Sequence, residues 1–212
     1  LYFCYEYTHL YLPKHSALVM LLHSILGTGT NTFAMEAQKI PTLKALLSDF
    51  EWVHVEAFPS ILRLLYDLKL RAELWRNTHR LEELESIHFH RVIDNKALVL
   101  SGEDFWVQLN YQMIHLIDFL PVSNWMAHAN DTAFIIFRDL YNFLERTGKL
   151  EAELDYTAAS GPNSVEGESQ GLGAKLVDLL PLKLSEKMAA KSVRRFSTRH
   201  GHSMDYSLTW RR

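Results

Sequence analysis

The chain has 212 residues and a formal net charge of −3 at pH 7. Its 48% hydrophobic content excludes a disordered chain, and 9 glycines and 6 prolines are too few for an all-β protein built on many tight turns. The single cysteine, Cys4, excludes an intramolecular disulfide, so we expect an intracellular protein, in the cytoplasm or in an organelle such as the mitochondrion.

Aromatic side chains crowd the N-terminus: Tyr2, Phe3, Tyr5, Tyr7 and Tyr11. A segment this apolar does not remain in water unless it packs on another surface. We therefore predict that these five residues are interaction residues. The surface that they contact is either the core of the same chain or a second protein, and the sequence leaves both alternatives open.

Helical spacing dominates the next part of the chain. Apolar residues recur every three or four positions over 17–25, 43–50 and 61–84, which is typical of amphipathic helices. Pro59 comes just before the third stretch, and proline is well tolerated in the first turn of a helix, where its missing N–H would have no partner. The pattern predicts three helices, the last with Pro59 in its first turn.

Two further helices have clear end signals. Ser101 and Asp104 have the spacing of a capping box, and a periodic apolar face follows over 105–120. The next helix is predicted through 134–144, with its end near Gly148, because glycine commonly follows the last helical turn.

Strand signals are almost absent. Only residues 97–100 read as a strand, and four residues cannot build a sheet. The sequence therefore predicts an all-α fold, either an irregular helical bundle or a short α-solenoid-like stack of five to six helices. A flexible linker, a C-terminal amphipathic helix and a basic tail are expected to follow it.

Charge and composition divide the chain. Residues 1–155 carry 13 Lys and Arg against 20 Asp and Glu, a net charge of −7, whereas the remainder carries 9 against 5, a net charge of +4. We predict a helical body at 1–155, a flexible linker rich in small residues at 156–173, and an amphipathic helix with a basic tail at 174–212. The apolar residues of this last segment that we expect to dock on a partner are Leu176, Leu179, Leu180 and Leu184.

A phosphorylation motif lies in the basic tail. Arg194, Arg195, Phe196 and Ser197 match the Arg-Arg-x-Ser pattern that basophilic kinases accept. A phosphate on Ser197 would offset part of the local positive charge.

Histidines give the second class of hypothesis, a helical metal- or haem-binding protein. Glu85 and His88 form a Glu-x-x-His pair, which on a helix places a carboxylate and an imidazole on one face. His88 and His90 could offer two imidazoles to a metal only from an extended backbone. His23 and His115 lie in apolar stripes, where a haem ligand or a hydrogen-bonded core histidine are the alternatives.

No catalytic constellation is recognisable. The chain has no Gly-x-Ser-x-Gly elbow, and Gly27-Thr28-Gly29-Thr30 is not followed by the Lys and Ser or Thr of a phosphate loop. Cys4 lies close to the chain start, without evident partners for a nucleophilic thiol. We predict a protein that is not an enzyme and that needs no cofactor.

The leading hypothesis is a non-catalytic helical scaffold or accessory subunit whose partners are other protein subunits of a larger complex. A pI near 6.4 argues against dedicated nucleic-acid binding. The longest apolar run is too short to span a bilayer, so no transmembrane segment is expected. A weaker alternative is a membrane-surface adaptor with a peripheral contact through residues 174–199.

Overall fold

The structure is a computed structural model that describes residues 1–27, 35–119, 132–154 and 182–211. The helices that precede the sheet are α1 (Tyr2–Tyr11), α2 (Ala17–Leu22), α3 (Ile40–Ala45), α4 (Asp49–Tyr66) and α5 (Leu68–Arg76). The remaining elements are β1 (Leu84–His90), β2 (Ala97–Ser101), α6 (Gly102–Phe119), α7 (Thr132–Arg146), α8 (Leu182–Arg199) and β3 (Ser207–Trp210). Short 3-10 turns lie at Ala37–Lys39 and Thr78–Glu83.

The fold is mostly helical, but it is not all-α, and the predicted fold class is wrong in this respect. The three strands form one antiparallel sheet in the order β2-β1-β3. Residues 86–90 of β1 pair with residues 97–101 of β2, and residues 84–88 pair with residues 207–210 of β3. One face of β1 is buried through Ile87 and Phe89, so the sheet packs on the helices rather than standing alone.

The sheet was missed because two of its strands do not read as strands. β1 begins where the helical pattern of 61–84 ends, and its exposed residues Glu85 and His88 resemble the charged face of a helix. β3 lies in the basic tail, far along the chain from β1. The strand signal at 97–100 is correct, but no local pattern indicates that the other two strands of the sheet come from the residues of β1 and β3.

Helix α4 begins earlier than predicted and runs through the proline. The backbone N–H of Glu51 donates to Ser48 Oγ at 3.3 Å, and the N–H of Ser48 donates to Glu51 Oε2 at 2.9 Å, which completes a capping box. Pro59 therefore lies in the helix interior and not in its first turn. An interior proline costs about 3 kcal/mol, and burial of the flanking residues from His54 to Leu65 offsets that cost.

The predicted ends of two later helices are confirmed. At the start of α6 the N–H of Asp104 donates to Ser101 Oγ at 3.0 Å. After α7 the chain turns at Gly148, which has a φ of +68°, and the N–H of Lys149 donates to the carbonyl of Leu144 at 2.8 Å. These signals could be recognised in the sequence because cap residues and the groups they bond are close neighbours in the chain.

Ion pairs attach α8 to the rest of the protein. Arg194 forms a bidentate ion pair with Asp67, which lies between α4 and α5. Arg71 of α5 is buried and donates to Asp139 of α7 at 2.7 Å and to Glu186 of α8 at 3.4 Å. Since these guanidinium groups bridge helices that are distant in sequence, α5, α7 and α8 are held in one arrangement.

The segment predicted to be a separate tail contributes to the same sheet and packs on the same helices. Both α8 and β3 belong to the predicted segment 174–212, yet they contact α4, α5, α7 and β1. The predicted linker at 156–173 lies outside the described residues. Within the described ranges, no helix combines the length and the apolar character needed to cross a membrane.

The step from β2 into α6 predicts a steric requirement for glycine. A Cβ at Gly102 would lie 2.1 Å from the carbonyl oxygen of Leu84, at the start of β1. We therefore expect Gly102→Ala to lower the free energy of unfolding by about 1–3 kcal/mol, because the backbone must shift. Urea denaturation measures this change.

The control for this substitution is Glu103→Ala, at the exposed neighbouring position. It should change the free energy of unfolding by less than about 0.5 kcal/mol. Equal stability of Gly102→Ala and the unsubstituted chain would contradict the packing of β1 against the start of α6.

Candidate functional site

Helix α1 carries the predicted aromatic residues, and it packs on the protein through its small side chains. Cys4 and Thr8 are buried against α2 and α6, and the Thr8 hydroxyl donates to the Cys4 carbonyl at 2.7 Å. Burial raises the pKa of the Cys4 thiol to about 12, so this thiol is not an activated nucleophile. The inward face of α1 is thus a structural contact.

The larger side chains of α1 point outward. The exposed fractions are 67% for Tyr2, 42% for Phe3, 64% for Leu10 and 40% for Tyr11. We call these four residues the aromatic face of α1. Tyr5 and Tyr7, the other two predicted interaction residues, are half-buried. The structure therefore brings three of the five predicted aromatic residues to the surface, and Leu10 is a member that sequence reasoning missed.

The aromatic rings of α1 contact one another along the helix. The ring centroids of Phe3 and Tyr7 are 5.5 Å apart, and those of Tyr7 and Tyr11 are 4.5 Å apart. The N–H of Glu153 donates to the Tyr11 carbonyl at 2.8 Å, which ties the end of α1 to the residues after α7. The aromatic face is therefore presented on a helix that is anchored at both its inner face and its C-terminal end.

The predicted docking residues of the C-terminal segment divide into two groups. Leu176, Leu179 and Leu180 lie outside the described residues. Leu184 lies in the first turn of α8 and is exposed, as is Met188 one turn later. The inner side of α8 instead consists of small side chains, including Ala190 and Ser197, which allow the helix to approach α4 and α5 closely.

Ser197, the predicted phosphorylation site, lies near the end of α8 and faces inward. Its side chain is 1% exposed, and Ser197 Oγ has no hydrogen-bond partner among the described residues. A kinase could reach this hydroxyl only if the end of α8 left the protein surface.

His23 and His115 come together in the core. His23 Nδ1 lies 2.6 Å from the Met20 carbonyl, so this nitrogen carries the proton and donates it. Its Nε2 must then accept from His115 Nδ1, which lies 2.9 Å away. Both ring nitrogens of His23 are therefore engaged in hydrogen bonds. This geometry is that of hydrogen-bonded core histidines, and it leaves His23 without a nitrogen to offer haem iron.

Burial lowers the pKa of both imidazoles, to about 3 for His115. The Met20 carbonyl and Asp118 act on the pKa of His23 in the opposite direction, but burial outweighs them. The pair is therefore uncharged at neutral pH.

A seam of polar side chains between α4 and α6 was not recognised from the sequence. His54 and Gln108 are fully buried, and His54 Nδ1 donates to Gln108 Oε1 at 2.9 Å. Gln112, one turn further along α6, donates to the Phe58 carbonyl at 3.0 Å. The spacing of Asp104, Gln108 and Gln112 at every fourth residue of an apolar helix is the signal that could have indicated this seam.

At the outer end of this seam lie an aspartate, a histidine and a serine, which are the residue types of a hydrolase catalytic triad. Asp104 Oδ1 lies 3.7 Å from His54 Nε2, and the Ser101 hydroxyl donates to Asp104 Oδ2 at 2.7 Å. In nucleophilic catalysis the imidazole would have to accept the proton of the serine hydroxyl. Here that hydroxyl bonds the carboxylate instead, so Ser101 and Asp104 act as the cap of α6 and the imidazole does not receive the serine proton.

The Glu85 and His88 pair lies on a strand and not on a helix, which removes the reason for placing the two on one face. Glu85 lies at the irregular start of β1, 3.9 Å from the guanidinium of Arg211, while His88 Nε2 is 3.1 Å from Ser86 Oγ. His88 and His90 do lie on one face of the extended strand. Among the described residues, however, no group of three or more His, Cys, Asp or Glu side chains could hold a metal ion.

Comparison of the chain with models of protein families, with curated proteins and with solved structures finds no match. The function must therefore be argued from the geometry of the chain itself.

The buried position of Ser197 predicts that a negative charge at this residue weakens the packing of α8 on the rest of the protein. We expect Ser197→Glu to lower the free energy of unfolding by more than about 2 kcal/mol, because an ionised carboxylate would be placed in a buried site. Thermal and urea denaturation would report the loss. Ser192→Glu, on the exposed face of the same helix, serves as the matched control and should have little effect. Equal stabilities of the two variants would contradict the inward orientation of Ser197.

The buried pair of His23 and His115 predicts that the free energy of unfolding falls as the pH is lowered. The folded-state pKa values are lowered below the unfolded value of about 6.5, so the stabilising contribution is complete above that pH and is lost as the pH falls toward the folded-state values. Each imidazole that protonates on unfolding contributes a slope of up to about 1.4 kcal/mol per pH unit. We expect His115→Gln to reduce the slope of the unfolding free energy between pH 6 and pH 4 by roughly 1 kcal/mol per unit.

The control is His9→Gln, at an exposed position of α1, which should retain the slope of the unsubstituted chain. If His115→Gln leaves the pH dependence unchanged, the neutral buried pair is not its source.

Proposed function

We propose that the chain is a non-catalytic helical scaffold or accessory subunit that acts through protein–protein contacts, with the aromatic face of α1 as its principal contact surface. The observation that carries this proposal is the orientation of α1. Its small residues Cys4 and Thr8 are buried, while Tyr2, Phe3 and Leu10 face solvent. This is the reverse of the distribution expected for a helix that serves only its own core.

The composition of this face suits a protein interface. Aromatic residues are enriched where proteins bind each other, because they bury a large area while losing few rotamers. Burying a side chain of the size of Phe or Leu contributes about 1.5–3 kcal/mol. Tyr2, Phe3, Leu10 and Tyr11 therefore suit the anchor positions of a protein interface.

The attachment of α1 also supports this role. Packing on α2 and α6, and the bond between Glu153 and Tyr11, hold the helix in place before a partner arrives. A contact surface that is already ordered loses less conformational entropy on binding than a mobile one. The exposed rings are therefore displayed in a form that a partner can bind directly.

The proposal predicts the effect of removing the apolar face of α1. In native extracts, the tagged chain should migrate in an assembly larger than its own 24.6 kDa. Tyr2→Ser combined with Leu10→Ser should reduce the amount of co-purifying partner by about tenfold or more, because an interface anchor contributes at least ~1.4 kcal/mol. Size-exclusion chromatography with cross-linking mass spectrometry measures both effects.

The control is Leu46→Ser, since Leu46, directly after α3, is 76% exposed and lies outside α1. It should leave the assembly intact. Migration of the unsubstituted chain as a monomer without a cross-linked partner would contradict the proposed function, as would an assembly that is indifferent to the α1 substitutions.

A further inference from the structure

A groove along α8 is lined with positive charge. It has a volume of about 780 Å³ and lies between α8 and Leu68, at the start of α5. The cations that line it are Lys187, Lys191, Arg194, Arg195 and Arg199. Helix α8 as a whole carries six Lys and Arg against the single acidic residue Glu186, although the complete chain is acidic.

Four of these cations are available to a ligand. Arg194 is engaged by Asp67, but Lys187, Lys191, Arg195 and Arg199 form no ion pair with any residue in the described part of the chain. All four are exposed. The repulsion among them is therefore unrelieved by the described neighbours, and a negatively charged partner would relieve it.

The four free cations have a regular spacing. They recur at every fourth residue, which on an α-helix places them about 6 Å apart along the axis. In an extended peptide the side chains on one face recur every second residue, about 6.7 Å apart. Acidic residues at alternate positions of an extended segment would therefore meet successive cations of α8, and the intervening side chains would face the apolar surface near Leu68.

From this match we propose that the groove binds an extended acidic segment of a partner protein, with Asp or Glu at alternate positions. The inference rests on the proposed function, because it assigns a partner class to a protein that acts through protein contacts. Arg194 and Asp67 fix the register of α8 against α5, so the four cations keep fixed positions along the groove, in a row that turns by about 40° around the helix from one to the next. Helix α8 thereby presents a second contact surface, separate from α1.

Other anionic ligands fit the groove less well. Single-stranded nucleic acid is bound by positive grooves in which aromatic side chains stack on the bases, and none of the described residues that line this groove is aromatic. Phe196, the nearest aromatic residue in the sequence, packs instead against Arg63 and His200. A lipid surface has no fixed linear spacing of charge, so the regular spacing of the cations favours a peptide.

The test uses the full chain and a fluorescent peptide of about eight residues in which Glu and Val alternate. The second probe has the same composition with its glutamates grouped at one end. We expect the alternating peptide to bind more tightly than the grouped one, with an affinity that falls as salt is added. Lys191→Glu combined with Arg195→Glu should weaken its binding by about tenfold or more.

Two control variants distinguish the loss of cations in the groove from a change in net charge and from unfolding of the protein. Lys14→Glu combined with Lys39→Glu changes the net charge equally at exposed positions outside the groove, and binding should stay within about twofold of the unsubstituted chain. Lys191→Gln combined with Arg195→Gln should give an intermediate loss, with the melting temperature of every variant measured in parallel.

The proposal is overturned if the alternating peptide does not bind, if the grouped peptide binds equally well, or if the groove and control variants lose binding equally. Tighter binding of oligouridine, or of vesicles containing phosphatidylserine, would overturn it as well. This assay does not involve the aromatic face of α1. Failure here therefore leaves the proposed function standing, whereas failure of the α1 experiment does not affect the peptide result.

Discussion

A helix that is buried on nearly all sides is stable only if its polar side chains find partners, and α4 is such a helix. Its residues from His54 to Leu65 are all buried. His54 bonds Gln108 of α6, Glu56 pairs with Arg91 after β1, and Arg63 contacts His202 beyond α8. His54, Glu56 and Arg63 thus each require a different, distant part of the chain to be in place, which ties α4 to α6, to the sheet and to the residues after α8.

This arrangement determines which surfaces remain for function. Of the polar groups on and around α4, His54, Glu56 and His202 are engaged in structural bonds. The outer faces of α1 and α8 differ, because one displays apolar side chains and the other displays cations that have no ion pair among the described residues. One surface is apolar and the other is positively charged, but both lie on helices whose inner faces carry small residues. The proposed function through contacts with other proteins rests on these two outer faces.

Much of the helical fold could be predicted, because helix ends are marked by neighbouring residues such as Ser101 with Asp104. The sheet could not, since the pairing of β1 with β3 joins segments more than 100 residues apart, and no local pattern records it. The helix start predicted from Pro59 is wrong, because the capping box at Ser48 starts α4 earlier in the chain. For the candidate site, the aromatic residues of α1 were named from sequence. Which of them face solvent depends on how Cys4 and Thr8 pack on α2 and α6, and that is a tertiary property.

If α1 is the principal contact surface, its aromatic face is covered by a partner when the protein is in its native assembly. Hydroxyl-radical footprinting measures the solvent exposure of individual side chains, so it can compare the assembly with the purified chain. We expect oxidation of Tyr2, Phe3 and Tyr11 to fall several-fold in the assembly, while Leu46 remains equally reactive. Unchanged oxidation of the three aromatic residues in an assembly that contains the chain would contradict it.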